Sequence, residues 1–159
     1  MLFTTKLDVV NTFKILSIFL SINVINMINT KYKINDKINL AYIVFIILAH
    51  FLGVILNFYD KILYYDKLVH FLFGFIASYI FINILNNKFI IKRIINTIII
   101  TIFLATMWEI YEYICSLVFN VDPQNNLTTG VNDTMQDIIV AFIGTILFAI
   151  IYFLKKCKK

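Results

Sequence analysis

The sequence predicts an all-α, polytopic bundle of about five transmembrane helices. Of its 159 residues, 61% are hydrophobic and 14% are charged, whereas soluble domains have about 45–50% apolar and about 25% charged residues. A chain this short cannot bury so much apolar surface in one water-soluble core. Disorder is excluded as well, because 16 Phe, 9 Tyr and long runs of Ile are the opposite of a disordered composition. We therefore expect a single integral membrane domain over residues 1–159.

Five apolar stretches have the length of about 20 residues that crosses a hydrocarbon core of about 30 Å. They lie near 9–29, 38–58, 67–86, 94–119 and 133–154. Asn and Lys residues interrupt the first stretch, so it either spans the membrane or lies along the interface. The connections are short and polar, and none has room for a soluble domain.

The basic residues orient this bundle. If the helices alternate in direction, ten of the fourteen Lys and Arg residues fall on one side, and the cytoplasmic side of a membrane protein is the basic one. We expect an N-terminus outside, a C-terminus in the cytoplasm and a bacterial plasma (inner) membrane, since abundant Ile, Asn and Lys with a single Arg indicate an AT-rich coding bias. Membrane lipids are the expected partners, and no basic block is typical of nucleic-acid binding. A protein partner or homo-oligomer stays open.

Six ionisable side chains gather in pairs at the predicted outer ends of three helices. Each pair is spaced three or four residues apart, so its members share one helix face. The pairs are Asp66 and His70, Glu109 and Glu112, and Asp133 and Asp137. The same faces continue inward with small residues, which mark close helix approach in membranes. These are Gly74 and Ser78, then Thr97, Thr101 and Ala105, then Ala141, Gly144 and Thr145. The polar groups are therefore expected to face one another.

Five carboxylates in one membrane layer need compensation, because a bare one costs at least about 2.5 kcal/mol. Shared protons, a water-filled cavity or a bound cation would each supply it. Oxygen ligands with a histidine suit a divalent metal ion such as Mg, Mn, Fe or Zn, which is the candidate cofactor. We expect a metal or shared protons at four acids, and general acid–base catalysis by Asp66 and His70. The four acids are Glu109, Glu112, Asp133 and Asp137.

Three motifs resemble a known family. They read YDKLVHFLFG at 65–74, WEIYE at 108–112 and GVNDTMQD at 130–137. In this order they resemble the signature of the YjdF-like bacterial inner-membrane proteins and, more distantly, of the VanZ-like proteins, which are associated with glycopeptide resistance at the cell envelope. The resemblance covers roughly residues 60–150, with Lys67 where Arg is commoner. It implies a shared site at the same six residues.

The leading functional hypothesis is a small membrane protein with a carboxylate- and His-lined pocket facing the extracytoplasmic side. It would be a metal-dependent intramembrane enzyme acting on a lipid or lipid-linked envelope substrate. One alternative is a non-catalytic binder or transporter of a cation or a cationic amphiphile. The other is a structural accessory subunit whose acids pair with basic residues of a partner.

Overall fold

The fold is a bundle of helices, given by a computed structural model that describes residues 2–32, 35–119, 122–124 and 129–158. None of these residues lies in a β-strand, so the predicted all-α class is confirmed. The helices are α1 Leu2–Tyr32, α2 Asp36–Ile46 with a π-helical continuation Ile47–Ile55, α3 Phe58–Lys61, α4 Tyr65–Ile84, α5 Ile90–Phe119 and α6 Asn132–Cys157.

Four of these helices are long and apolar enough to cross a membrane. They are α2 with its π-helical continuation, α4, α5 and α6. Each lies within a few residues of a predicted stretch, because the length of an apolar run fixes a membrane helix almost by itself. The first predicted stretch, 9–29, falls inside the continuous helix α1. Among the described residues α1 does not meet the same length and hydropathy test, so its crossing stays a prediction.

A sharp connection joins the second span to α4. The π-helical segment ends where the Leu56 N–H donates to the Phe51 carbonyl at 3.0 Å. Asn57 and Tyr64 then adopt left-handed backbone, with φ of 57° and 62°, which is uncommon away from glycine. Both residues flank α3 and turn it back onto the π-helical segment. There the Tyr59 ring occupies the space that a Cβ at Gly53 would fill.

The core of the bundle lies where α4, α5 and α6 meet. A Cβ at Gly74 would overlap the Ala141 carbonyl oxygen, and one at Gly144 would overlap the Phe71 carbonyl oxygen, so the backbones of α4 and α6 are in contact. Helix α5 completes the core with buried small residues at Thr97, Thr101 and Ala105. The predicted small-residue faces are thus confirmed as the packing seam.

Candidate functional site

The polar end of this seam is formed by the first turns of α4 and α6 and by the middle of α5. Asp66 and His70 lie in the first two turns of α4, and Asp133 and Asp137 lie in the first two turns of α6. Glu109 belongs to α5 and lies next to them. Five of the six predicted side chains therefore belong to one cluster. The sixth, Glu112, accepts a hydrogen bond at 2.8 Å from the indole Nε1 of Trp108 on its own helix.

Lys67, for which the sequence predicts no role, occupies the centre of the acidic cluster. Its Nζ donates to both carboxylate oxygens of Asp137, at 2.8 and 2.9 Å, and to Oδ1 of Asp133. Asp66 Oδ2 lies 3.5 Å from the same nitrogen. An ammonium group has three donors, and here they tie α4 to α6. Part of the acidic charge is therefore compensated inside the protein.

His70 lies among carboxylate oxygens that come from α4, α5 and α6. Its Nε2 is 3.6 Å from Asp66 Oδ1, 3.7 Å from Glu109 Oε1 and 4.0 Å from Asp137 Oδ1. These separations exceed hydrogen-bond lengths. Ligand atoms bound to one Mg²⁺ or Zn²⁺ ion at about 2.1 Å lie up to about 4.2 Å apart. The spacing around the imidazole therefore suits a shared cation.

The structure brings together a different set of candidate metal ligands from the set predicted from the sequence. Among the described residues, one set of three metal-ligating side chains has its ligand atoms all within 4.8 Å of one another, and it consists of Asp66, His70 and Asp137. It combines the predicted acid–base pair with one of the four predicted metal ligands. The other three, Glu109, Glu112 and Asp133, are outside it. The predicted division of roles stays a prediction.

Glu109 joins the cluster to a second feature of the site. Its side chain is 4% exposed. Oε2 accepts a hydrogen bond at 3.1 Å from Gln124 Nε2, which also donates to the Glu109 carbonyl at 2.9 Å. Oε1 has no hydrogen-bond partner within the described part of the chain. Gln124 was missed because a single polar residue in a connection has no periodicity to reveal it.

A cleft of about 400 Å³ lies between α5 and α6 next to this carboxylate. Its walls are mostly apolar, with Glu109 and Gln124 as polar lining groups. The other lining side chains are Thr106, Ile110, Tyr113, Val131, Thr134 and Ile138. The cleft therefore combines apolar walls with one buried carboxylate.

Tyr59 lies beside the cluster but outside the membrane spans. Its ring packs edge-on against that of Tyr65, with 5.5 Å between centroids. Burial and then the negative charges of Asp66 and Glu112 raise the pKa of the Tyr59 phenol. The phenol is therefore protonated at neutral pH and is available as a hydrogen-bond donor.

The second histidine is separate from the cluster. His50 is buried in the π-helical segment, and its Nε2 lies 2.8 Å from the hydroxyl oxygen of Ser21. This contact links α1 to the second span.

Comparison with known proteins agrees with the architecture. The model of the family DUF2238, described as "Predicted membrane protein", matches residues 3–158. A protein of Thermotoga maritima described as "Uncharacterized protein" is 30% identical over 132 residues, which are 80% of this chain and 67% of that protein. No solved structure matches the chain. The family match and the four apolar helices identify a multi-pass integral membrane protein.

Proposed function

We propose that this chain, which belongs to the DUF2238 family of membrane proteins, binds a divalent cation at its polar cluster and acts on an amphiphilic lipid or lipid-linked envelope substrate. The protein would then be a metal-dependent intramembrane enzyme. The observation that carries this proposal is the position of His70 Nε2 within 4.0 Å of carboxylates from α4, α5 and α6.

The charge of the cluster supports a bound cation. Counted as ionised, the four carboxylates of the cluster against the single ammonium of Lys67 and a neutral His70 give a formal charge of −3. The four are Asp66, Glu109, Asp133 and Asp137. Negative charge in a membrane-crossing segment is costly without a counter-ion. A divalent cation would reduce the formal charge to −1.

The contacts support separate roles for these residues. Asp66, His70 and Asp137 would hold the cation, and Lys67 would fix the Asp137 carboxylate through its two hydrogen bonds. Glu109 adjoins both His70 and the cleft, so it is the best placed acid–base group toward a bound substrate. The cation would polarise a substrate oxygen or activate a water molecule.

The test is the metal content of the detergent-purified protein, measured by mass spectrometry after supplementation with Mg, Mn, Fe and Zn. We expect nearly one equivalent in the wild type and its loss in Asp66→Asn and His70→Gln, each checked for intact helicity by circular dichroism. Glu112→Gln is the matched control, because this carboxylate bonds Trp108 and should leave the metal in place. Absence of metal from the wild type, or equal loss in the control, would contradict the proposal.

A second candidate is a non-catalytic binder or transporter of cations. The Lys67 ammonium already pairs with Asp133 and Asp137, which indicates that these acids accept a cationic group without chemistry. Ion-dependent flux in reconstituted vesicles, with no turnover of lipid, would favour this candidate. An accessory subunit would instead co-purify with a protein partner and depend on it for stability.

We also propose an extracytoplasmic position for the cluster, in a bacterial inner membrane with the N-terminus outside. The positive-inside pattern supports this orientation, and the likeness to YjdF-like and VanZ-like proteins supports an envelope role. Cys157 is exposed and Cys115 is buried, so one thiol reports the topology. A membrane-impermeant maleimide should label inside-out vesicles but not intact spheroplasts, and Cys157→Ser should abolish the label. Labelling of intact spheroplasts would reverse the orientation.

A further inference from the structure

The cleft between α5 and α6, two of the membrane-crossing helices, opens at an exposed surface of the bundle. Among its lining residues, Ile110, Tyr113 and Val131 are exposed side chains. From Thr106 to Tyr113 the cleft follows two turns of α5, which is about 10 Å along the helix. Its volume of about 400 Å³ lies within the range of small-molecule sites. The shape and apolar walls suit an alkyl chain entering from the bilayer.

The buried end of the cleft supplies an acceptor for a polar head group. Glu109 is 96% buried, since its exposed fraction is 4%, and its Oε1 has no hydrogen-bond partner within the described residues. A buried acceptor left without a donor is unfavourable, and more so when it is charged. A ligand that brings an N–H or O–H donor to this carboxylate would remove that penalty.

The charge of the acidic cluster favours one class of head group as the hydrogen-bond donor to Glu109. Counted with its four carboxylates ionised, the cluster has a formal charge of −3, and a divalent cation at Asp66, His70 and Asp137 leaves −1. An anionic head group placed at Glu109 would face this excess negative charge, whereas an ammonium group would reduce it. Hydrogen bonds between an ammonium and a carboxylate are also stronger than those between neutral groups.

We propose that this cleft binds the alkyl chain of a membrane amphiphile with a primary ammonium head group, which donates to the Glu109 carboxylate beside His70. The proposal rests on the proposed function in one respect, since it names the substrate class of the same site. Binding of the amphiphile is measured separately from metal content and from turnover.

The experiment uses the full-length protein in phosphatidylcholine nanodiscs and a dodecylamine probe with a diazirine in its chain. Photolabelling should map by mass spectrometry to the cleft walls at Ile110, Tyr113 and Ile138. Unlabelled dodecylamine should compete, and dodecanoate should not. Glu109→Gln should weaken the competition by dodecylamine at least about tenfold, as expected when a hydrogen bond to a charged group is lost.

A second pair of variants tests the cleft without touching the carboxylate. Ile138→Trp fills the cleft and should abolish specific labelling, whereas Ile139→Trp places the same bulk on the neighbouring exposed position and should leave labelling unchanged. Equal labelling of both Trp variants, or label spread evenly over all exposed faces, would overturn the site. Equal competition by dodecylamine and dodecanoate would overturn the ammonium selectivity.

Metal measurements on the same samples keep the two proposals apart. Ile138→Trp should retain the wild-type metal content while losing the label. If the wild type lacks metal but binds the amine at Glu109, the proposed metalloenzyme fails and the amphiphile site stands. If the wild type contains metal but the label does not map to the cleft, the amphiphile site fails and the proposed metal site stands.

Discussion

The two ends of the seam between α4, α5 and α6 contain buried polar groups of different kinds. The inner end is the part of the seam around Thr97, Ser78, Thr101 and Thr145, and its polar groups are hydroxyls. Those of Thr97 and Thr145 donate to carbonyls one turn earlier on their own helices, both at 2.9 Å, and Thr145 also donates to the Gly74 carbonyl of α4 at 3.3 Å. Ser78 and Thr101 pair with each other at 3.3 Å. The outer end is the cluster around Lys67, where the groups are carboxylates, an ammonium and an imidazole.

The inner end of the seam therefore serves helix packing, whereas the outer end contains the candidate functional site. A hydroxyl carries no charge, and its small side chain lets two backbones approach closely. At the outer end four carboxylates share one ammonium and one imidazole. Buried polar residues alone therefore do not indicate a site, whereas a buried group of ionisable side chains makes the outer end the candidate.

Lys67→Met should give the largest effect on stability, because it leaves the Asp133 and Asp137 carboxylates without their shared ammonium. We expect a loss of about 3 kcal/mol in the free energy of unfolding, at the lower end for breaking a buried ion pair. Denaturant unfolding in detergent measures it. Lys61→Met, at an exposed lysine of the same end, should lose less than about 1 kcal/mol. Equal losses in the two variants would show that the outer end is ordinary surface.

Gly74→Ala should have the next largest effect and acts on the inner end. The added Cβ would overlap the Ala141 carbonyl oxygen, so α4 and α6 must separate. We expect a loss of about 2 kcal/mol in the free energy of unfolding, typical of overpacking. Gly130→Ala is the control. Its φ is +63° and no atom of the described residues lies within 4 Å of the added Cβ, so backbone strain should cost about 1 kcal/mol. An unchanged free energy of unfolding in Gly74→Ala would contradict the close contact between the backbones of α4 and α6.

Ser78→Ala tests whether the inner end belongs to the site. The change removes a hydrogen bond to Thr101 without leaving a charge behind, and we expect a loss of about 1 kcal/mol or less. Metal content and amphiphile labelling should be unchanged. A loss of metal in Ser78→Ala comparable with that in His70→Gln would extend the site along the whole seam.

Tyr59→Phe should have the smallest effect, visible only at alkaline pH. The pKa of the phenol is raised in the folded state, so the folded protein keeps this proton while the unfolded chain releases it above about pH 10. Stability should therefore fall as the pH rises beyond that value, and the fall should be shallower in Tyr59→Phe. Alkaline unfolding curves compare the two proteins, and identical curves would contradict the buried position of the phenol.

Apolar length and local spacing made the fold and the seam predictable. The spans of α4, α5 and α6 follow from composition, and the small residues that recur every three or four positions define the faces that meet. The position of Lys67 was not predictable in this way, because it depends on a side chain reaching from α4 to α6. One signal was present: Lys67 is among the few basic residues on the predicted outer side, and it lies between Asp66 and His70 in the first motif.

The grouping of ligands also depends on features that spacing does not encode. Asp66, His70 and Asp137 come together because the contacts at Gly74 and Gly144 set the rotation of α6 against α4. The spacing in the sequence determines which helix face each pair lies on, but it does not determine the distances between pairs on different helices. Glu112, one turn beyond Glu109, bonds Trp108 instead of joining the ligand set.

Anomalous diffraction from crystals grown with Mn²⁺ tests the central claim most directly, because it locates the cation itself. We predict one strong peak bonded to Asp66, His70 and Asp137, with the Lys67 ammonium still on Asp133 and no peak at Glu112. A peak at Glu112 without one at His70, or no peak at the outer end of the seam in protein that is fully folded, would contradict it.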